Sequence, residues 1–81
     1  MEYIKQIKTE EGEFFSLYIE EENISLVFRT LEQAIRGSEE PYGILTEDGE
    51  ISKGDKILGK VEEEKQIDPV LIDKIKKVIG Q

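Results

Sequence analysis

Apolar and polar positions alternate most clearly over residues 14–19, where Phe15, Leu17 and Ile19 interleave with Phe14, Ser16 and Tyr18. A period of two marks a strand whose two faces meet different surroundings. Ile24, Leu26 and Phe28 repeat the pattern over Ile24–Phe28, and only Glu20, Glu21, Glu22 and Asn23 separate the two runs. A short hairpin loop follows. Symmetric pairing sets Ile19 opposite Ile24, Leu17 opposite Leu26 and Phe15 opposite Phe28, so all six point to one side. Pattern and register then agree, as a half-buried antiparallel pair requires.

The flanking segments are read in the same way. Glu2–Thr9 is a strand, and Glu10, Glu11, Gly12 and Glu13 form a turn. Thr30 is a helix N-cap with Gln33 as its capping-box partner; Leu31, Ala34 and Ile35 make a narrow apolar stripe, and Gly37 ends the helix. Residues 42–46 are extended, Asp48-Gly49 is a turn, and residues 50–52 return. Lys53, Gly54 and Asp55 turn again into a strand over residues 56–61, with Ile57 and Val61 on one side and Leu58 on the other. Residues 62–65 read as a polar connector. Asp68 caps a last helix, Pro69 fills its first turn and Gly80 follows it. Leu71, Ile72, Ile75, Val78 and Ile79 give that helix a wide apolar face, while Lys74, Lys76 and Lys77 lie off it.

The expected architecture is a single α+β domain over residues 1–81. An antiparallel sheet of about five or six strands, in the order β-β-β-α-β-β-β-α, carries two helices, and the C-terminal helix packs on the sheet. At 81 residues the domain has one modest core. Phe14, Tyr18 and Val27 point away from the hairpin's main apolar face. Left bare, they would form an apolar strip for a partner or a second copy. Covered by Tyr3, the short helix or the second meander, they would line a two-layer or barrel-like body, and the economy of a small domain favours the covered form. The chain is expected as a monomer or homodimer.

Charge then narrows the function. Nineteen Asp and Glu face eleven Lys and Arg, for a formal charge of −8, with no His and no Cys. Nucleic-acid backbones and anionic membranes both need a cationic patch, so neither is an expected partner. The commonest general base, the thiol nucleophile and the best transition-metal ligands are missing. No phosphate loop or nucleophile elbow occurs, and the carboxylates fall in turns, where water is plentiful. These absences argue against an enzyme. The Glu-, Lys- and Ile-rich composition suits a thermophilic origin. The acidic start and the lack of a long apolar run argue against a signal peptide or membrane span, so a cytoplasmic location is expected.

The leading expectation is a non-enzymatic binding module that contacts a basic protein partner, with mimicry of a nucleic acid as a special case. Its candidate contacts are the carboxylates Glu20, Glu21, Glu22, Glu39 and Glu40 with the aromatic residues Phe14, Tyr18 and Tyr42. Rim charges would steer association and an aromatic residue would anchor it. No cofactor is expected. The alternative is low-affinity Ca²⁺ binding by Glu47, Asp48, Glu50 and Asp55 in the turns over residues 47–55. A hard cation wants six to eight oxygens, and four carboxylates could supply them if both turns lay at the same end of the meander. The Asp-x-Asp spacing of calcium loops is missing. The structural reading of all these acids is a solvated face.

Overall fold

The computed structural model describes residues 2–37 and 40–80, with Glu2 described by its backbone alone. Seven strands and two helices follow one another in the order β1 (Glu2–Thr9), β2 (Gly12–Ile19), β3 (Ile24–Phe28), α1 (Leu31–Arg36), β4 (Gly43–Leu45), β5 (Glu50–Lys53), β6 (Lys56–Lys60), β7 (Glu63–Gln66) and α2 (Pro69–Ile79). All are joined into one antiparallel sheet of spatial order β6-β5-β4-β3-β2-β1-β7. The α+β class and the strand–helix order stand as expected, with one strand more than anticipated.

The central hairpin has the register that its pattern dictates: Phe15↔Phe28, Leu17↔Leu26 and Ile19↔Ile24. Strand β1 adds Ile4 opposite Leu17 on the same face. This face carries a buried cluster of Ile4, Leu17, Phe28 and Ala34, flanked by Phe15, Ile19, Leu26, Leu31, Ile35, Ile67 and Ile72. Helix α1 supplies Ala34, Leu31 and Ile35 to it. Its start is fixed by Thr30, whose hydroxyl accepts from the Gln33 N–H at 3.1 Å, and its end by Gly37 in the left-handed region (φ 63°).

The opposite face holds a second cluster: Ile7, Phe14, Val27 and Ile51, with Tyr42, Leu45, Leu58 and Val61 against it. Strands β1 to β3 are thus buried on both faces. The second meander covers Phe14 and Val27, because the sheet curls into a half-barrel. The curl comes from the chain between β6 and β7. Strand β6 pairs with β5 at one end of the sheet, and β7 pairs with β1 at the other. Only Val61 and Glu62 separate them; the Val61 N–H donates to the Gly49 carbonyl and the Glu62 N–H to the Lys8 carbonyl, each at 2.7 Å. One bent stretch of chain therefore ties the two edges together. Gly59 lies close enough to Thr9 that an added Cβ would sit in van der Waals contact with it, at 3.9 Å.

Three elements depart from the pattern. Residues 63–66 are a strand, not a connector. As an edge strand wet on both faces, β7 needs no apolar alternation, and its charges suit an edge. Leu58 and Val61 share the inner cluster although an ideal strand would oppose them. Ile51 pairs with Gly59 and Ser52 with Ile57, so Leu58 is the extra residue of a bulge that resets the alternation and leaves Ile57 outside, 55% exposed. In α2, Ile72 reaches the outer cluster, while Leu71 and Val78 of the expected apolar face remain exposed. The Asp68 carboxylate accepts from the Val70 N–H at 2.9 Å and caps this helix. Neither described helix is long and apolar enough to cross a membrane.

Strands β4 and β5 approach closely at Gly43, where a Cβ would come within 2.7 Å of the Ser52 carbonyl oxygen and 2.8 Å of Ile51 Cγ2. Gly43→Ala is expected to lower the unfolding free energy by about 1–3 kcal/mol. Val78→Ala, at an exposed position, should change it by less than about 0.5 kcal/mol. Urea denaturation of the two variants distinguishes these outcomes, and equal midpoints would contradict the packing described for β4 and β5.

Candidate functional site

Antiparallel strands reverse direction at each turn, so consecutive turns of a meander alternate between its two ends. The turns over residues 20–23 and 46–49 lie at one end. Those at residues 10–11 and 54–55, together with the connection over residues 29–42, lie at the other. The candidate residues divide accordingly.

At the second end, Phe14 is buried, and its ring stacks on Tyr42 with centroids 4.6 Å apart and planes at 18°. The Arg29 guanidinium lies over the Tyr42 ring at 4.7 Å, a cation–π contact. The Tyr42 N–H donates to the Val27 carbonyl at 2.6 Å, which holds this residue against β3. Phe14 is therefore a core side chain and offers no surface to a partner. Tyr42 is half-buried, its ring taken up by Phe14 and Arg29. Glu40 is exposed beside this stack. Glu39 lies outside the described residues.

At the first end, Glu20, Glu21 and Glu22 are exposed in the β2–β3 turn. Asn23 closes that turn at φ 55°, and the Tyr18 hydroxyl donates to its Oδ1 at 2.7 Å. Tyr18 is thereby fixed, half-buried, directly beside the acidic turn. The four carboxylates considered for a cation are split. Glu47, Asp48 and Glu50 belong to the β4–β5 turn at this end, whereas Asp55 sits across β5 at the other end. Strand β5 has four residues and spans on the order of 13 Å. The convergence that would favour Ca²⁺ needs both turns at one end, and the reversal of chain direction along β5 separates them. Among the described residues no group of three or more acidic side chains is gathered closely enough to hold a metal ion.

What the first end does hold is a cleft of about 300 Å³, lined by Tyr3, Lys5, Ser16, Tyr18, Ser25, Leu45 and Glu64. The register explains the set. Tyr3 pairs with Tyr18, Lys5 with Ser16, Tyr18 with Ser25, and Ser25 with Leu45, so one row of cross-strand neighbours forms its floor. The inner face is filled by Ile7, Phe14, Val27 and Ile51 toward one end, and small hydroxyl residues leave it open toward the other. The Tyr3 and Tyr18 rings lie 6.2 Å apart at 35°. Lys5 Nζ stands 4.0 Å from Glu64 at the mouth; both side chains are about half exposed, so the pair is weak.

Ser16 is the unusual member. It is only 4% exposed, and no described group bonds its hydroxyl. No fully buried side-chain nitrogen or oxygen among the described residues lacks a partner, so this hydroxyl opens into the cleft. Sequence reasoning found Tyr18 but missed Tyr3, Lys5, Ser16, Ser25, Leu45 and Glu64. A signal was present: Ser16 sits between Phe14 and Tyr18 on the strand's second face, and a polar residue inside an aromatic row marks a gap in the packing.

Phe14→Ala is expected to cost about 3–5 kcal/mol of stability, as a large buried side chain does. Tyr3→Ala, at a position 41% exposed, should cost less than about 1 kcal/mol. Thermal or chemical melts of both variants check this, and two equally small losses would put Phe14 on the surface. No protein-family model, curated protein or solved structure matches the chain, and its function is read from the residues alone.

Proposed function

We propose that the protein is a binding module, without catalysis of its own, that docks a basic protein partner on the end carrying its two acidic turns. The observation that supports this is that the turns after β2 and β4 carry acidic residues and no basic one. The turns over residues 20–23 and 46–49 contain Glu20, Glu21, Glu22, Glu47 and Asp48 and no basic residue. The other turns and the connection over residues 29–42 have Arg29, Arg36, Lys53 and Lys56 in or beside them, whereas the 46–49 turn is flanked by Lys60 alone, opposite Glu50.

Carboxylates in two turns without a basic residue, Glu21, Glu22, Glu47 and Asp48 among them, would make a local field that draws in a cationic surface and repels an anionic one. Between described residues the ion pairs are Lys5–Glu64 and Arg36–Glu32, and neither involves Glu21, Glu22, Glu47 or Asp48. Tyr3 is 41% exposed and lies beside Tyr18, which bonds Asn23 of the 20–23 turn, so its ring would offer apolar and cation–π contact next to that turn. Acids held in solvated turns are suited to recognition, since neither a desolvated cleft nor an imidazole tunes them for proton transfer.

Fluorescently labelled hexalysine should bind in low salt, and hexaglutamate should not. Raising NaCl from about 20 to 300 mM should weaken hexalysine binding by roughly tenfold or more, because the screening length falls below the size of the patch. The paired change Glu21→Lys and Asp48→Lys should weaken binding more than Glu10→Lys and Glu11→Lys, which add the same charge at the other end. Fluorescence anisotropy reads all of these. No hexalysine binding at low salt, or equal losses in the two double variants, would overturn the assignment.

A further inference from the structure

We infer that the cleft bounded by Tyr3, Tyr18 and Glu64 is the seat of one basic side chain from an extended segment of the partner. This rests on the reading of the acidic end as a docking surface for a cationic protein, and it adds the pocket that reads the partner.

Two features favour a cation, and a third sets what it must displace. The first is Ser16, a residue 4% exposed whose hydroxyl bonds no described group and opens to the cleft. Such a hydroxyl is free to bond whatever enters the cleft, water included. An ammonium group, with three donors and no acceptor, is matched by hydroxyl and carboxylate oxygens. Ser16 and Ser25 supply hydroxyls at the floor, and Glu64 supplies a carboxylate at the mouth. The second feature is aromatic. The Tyr18 hydroxyl is committed to Asn23, which orients its ring, and the Tyr3 ring lies beside it and is partly open to solvent. Ring faces attract a cation, most strongly where water is thinned.

The third feature is Lys5. Its Nζ lies 4.0 Å from Glu64 at the cleft mouth, in a pair that is loose and half exposed. The chain's own lysine already holds the Glu64 carboxylate loosely, so an incoming ammonium group would have to displace it. The occupant is a side chain on an extended segment because the wall carrying Glu64 is β7, a terminal strand of the sheet. Among the described residues its outer edge pairs with no other strand, so it could receive one, and alternate side chains of an added strand would face the cleft. An anionic ligand would meet Lys5 and the hydroxyls favourably, but also Glu64 and the carboxylates of the 20–23 turn.

The test is a titration of the isotopically labelled protein with hexalysine, followed by NMR at low salt, with inorganic phosphate as the opposing probe. Signals of Tyr3, Ser16, Tyr18 and Ser25 should move most, and those of Tyr42, Glu10 and Asp55 least. Tyr3→Ala should weaken hexalysine binding about fivefold, the scale of one cation–π contact. Lys5→Met should strengthen it more than Lys56→Met, which removes the same charge at the other end. Each variant is first checked for an unchanged fold by its own spectrum. If hexalysine binds but moves only the acidic turns, with the cleft signals still, the side-chain seat is wrong while the docking surface survives. If phosphate and not hexalysine moves the cleft signals, the seat is anionic and the inference is overturned. If hexalysine does not bind at all, both readings fail together.

Discussion

One stretch of backbone has to serve two neighbours. Residues 56–66 pair first with β5 and then with β1, and the exchange occurs at two hydrogen bonds, from Val61 N–H to the Gly49 carbonyl and from Glu62 N–H to the Lys8 carbonyl. A sheet joined at both edges by one bent segment cannot lie flat. It must curl, and the curl creates an inside. Phe14 and Val27, which a flat sheet would leave bare, become the centre of a second cluster with Ile7 and Ile51. A domain of this size has little apolar area to spare, so burying both faces of β1 to β3 is the efficient use of it.

The same curl determines where the molecule is open. The inner face is filled where large side chains meet across it, at Phe14, Tyr42 and Leu58. It is unfilled where Ser16 and Ser25 take the corresponding positions. Helices α1 and α2 lie on the other face and do nothing to close this end. The cleft is therefore a consequence of side-chain volume along one row of the sheet. Its charged surroundings follow from the meander, which brings the β2–β3 and β4–β5 turns to the same end. Charge and shape coincide there because two unrelated features of the chain, acidic turns and small inner residues, fall at the same level of the sheet.

Much of the fold was legible. The alternation over residues 14–28 fixed a register that the structure reproduces pair for pair, and the caps at Thr30, Gly37 and Asp68 marked both helices. What escaped was whatever lacks an apolar signature or breaks periodicity. Strand β7 is charged because it is an edge, and its partner is β1, 55 or more positions earlier in the chain. The bulge at Leu58 reverses a face assignment that simple alternation gets wrong. The separation of Asp55 from Glu47, Asp48 and Glu50 needed only the direction of β5, which was available from the strand order. The cleft was harder: Tyr3 and Tyr18 are fifteen residues apart and meet only through the β1–β2 register. Carboxylates could be counted in the sequence, but which of them share an end depended on topology.

The account turns on whether residues 61 and 62 truly tie the two edges. Amide hydrogen exchange of Val61 and Glu62 measures this directly. Both N–H groups should be protected to an extent close to that of the central strands β2 and β3, since they open only when the half-barrel does. Exchange of both at the rate of an unstructured connector, with β2 and β3 still protected, would show that the edges are not joined. The inner cluster, the cleft and the functional reading built on them would then lose their basis.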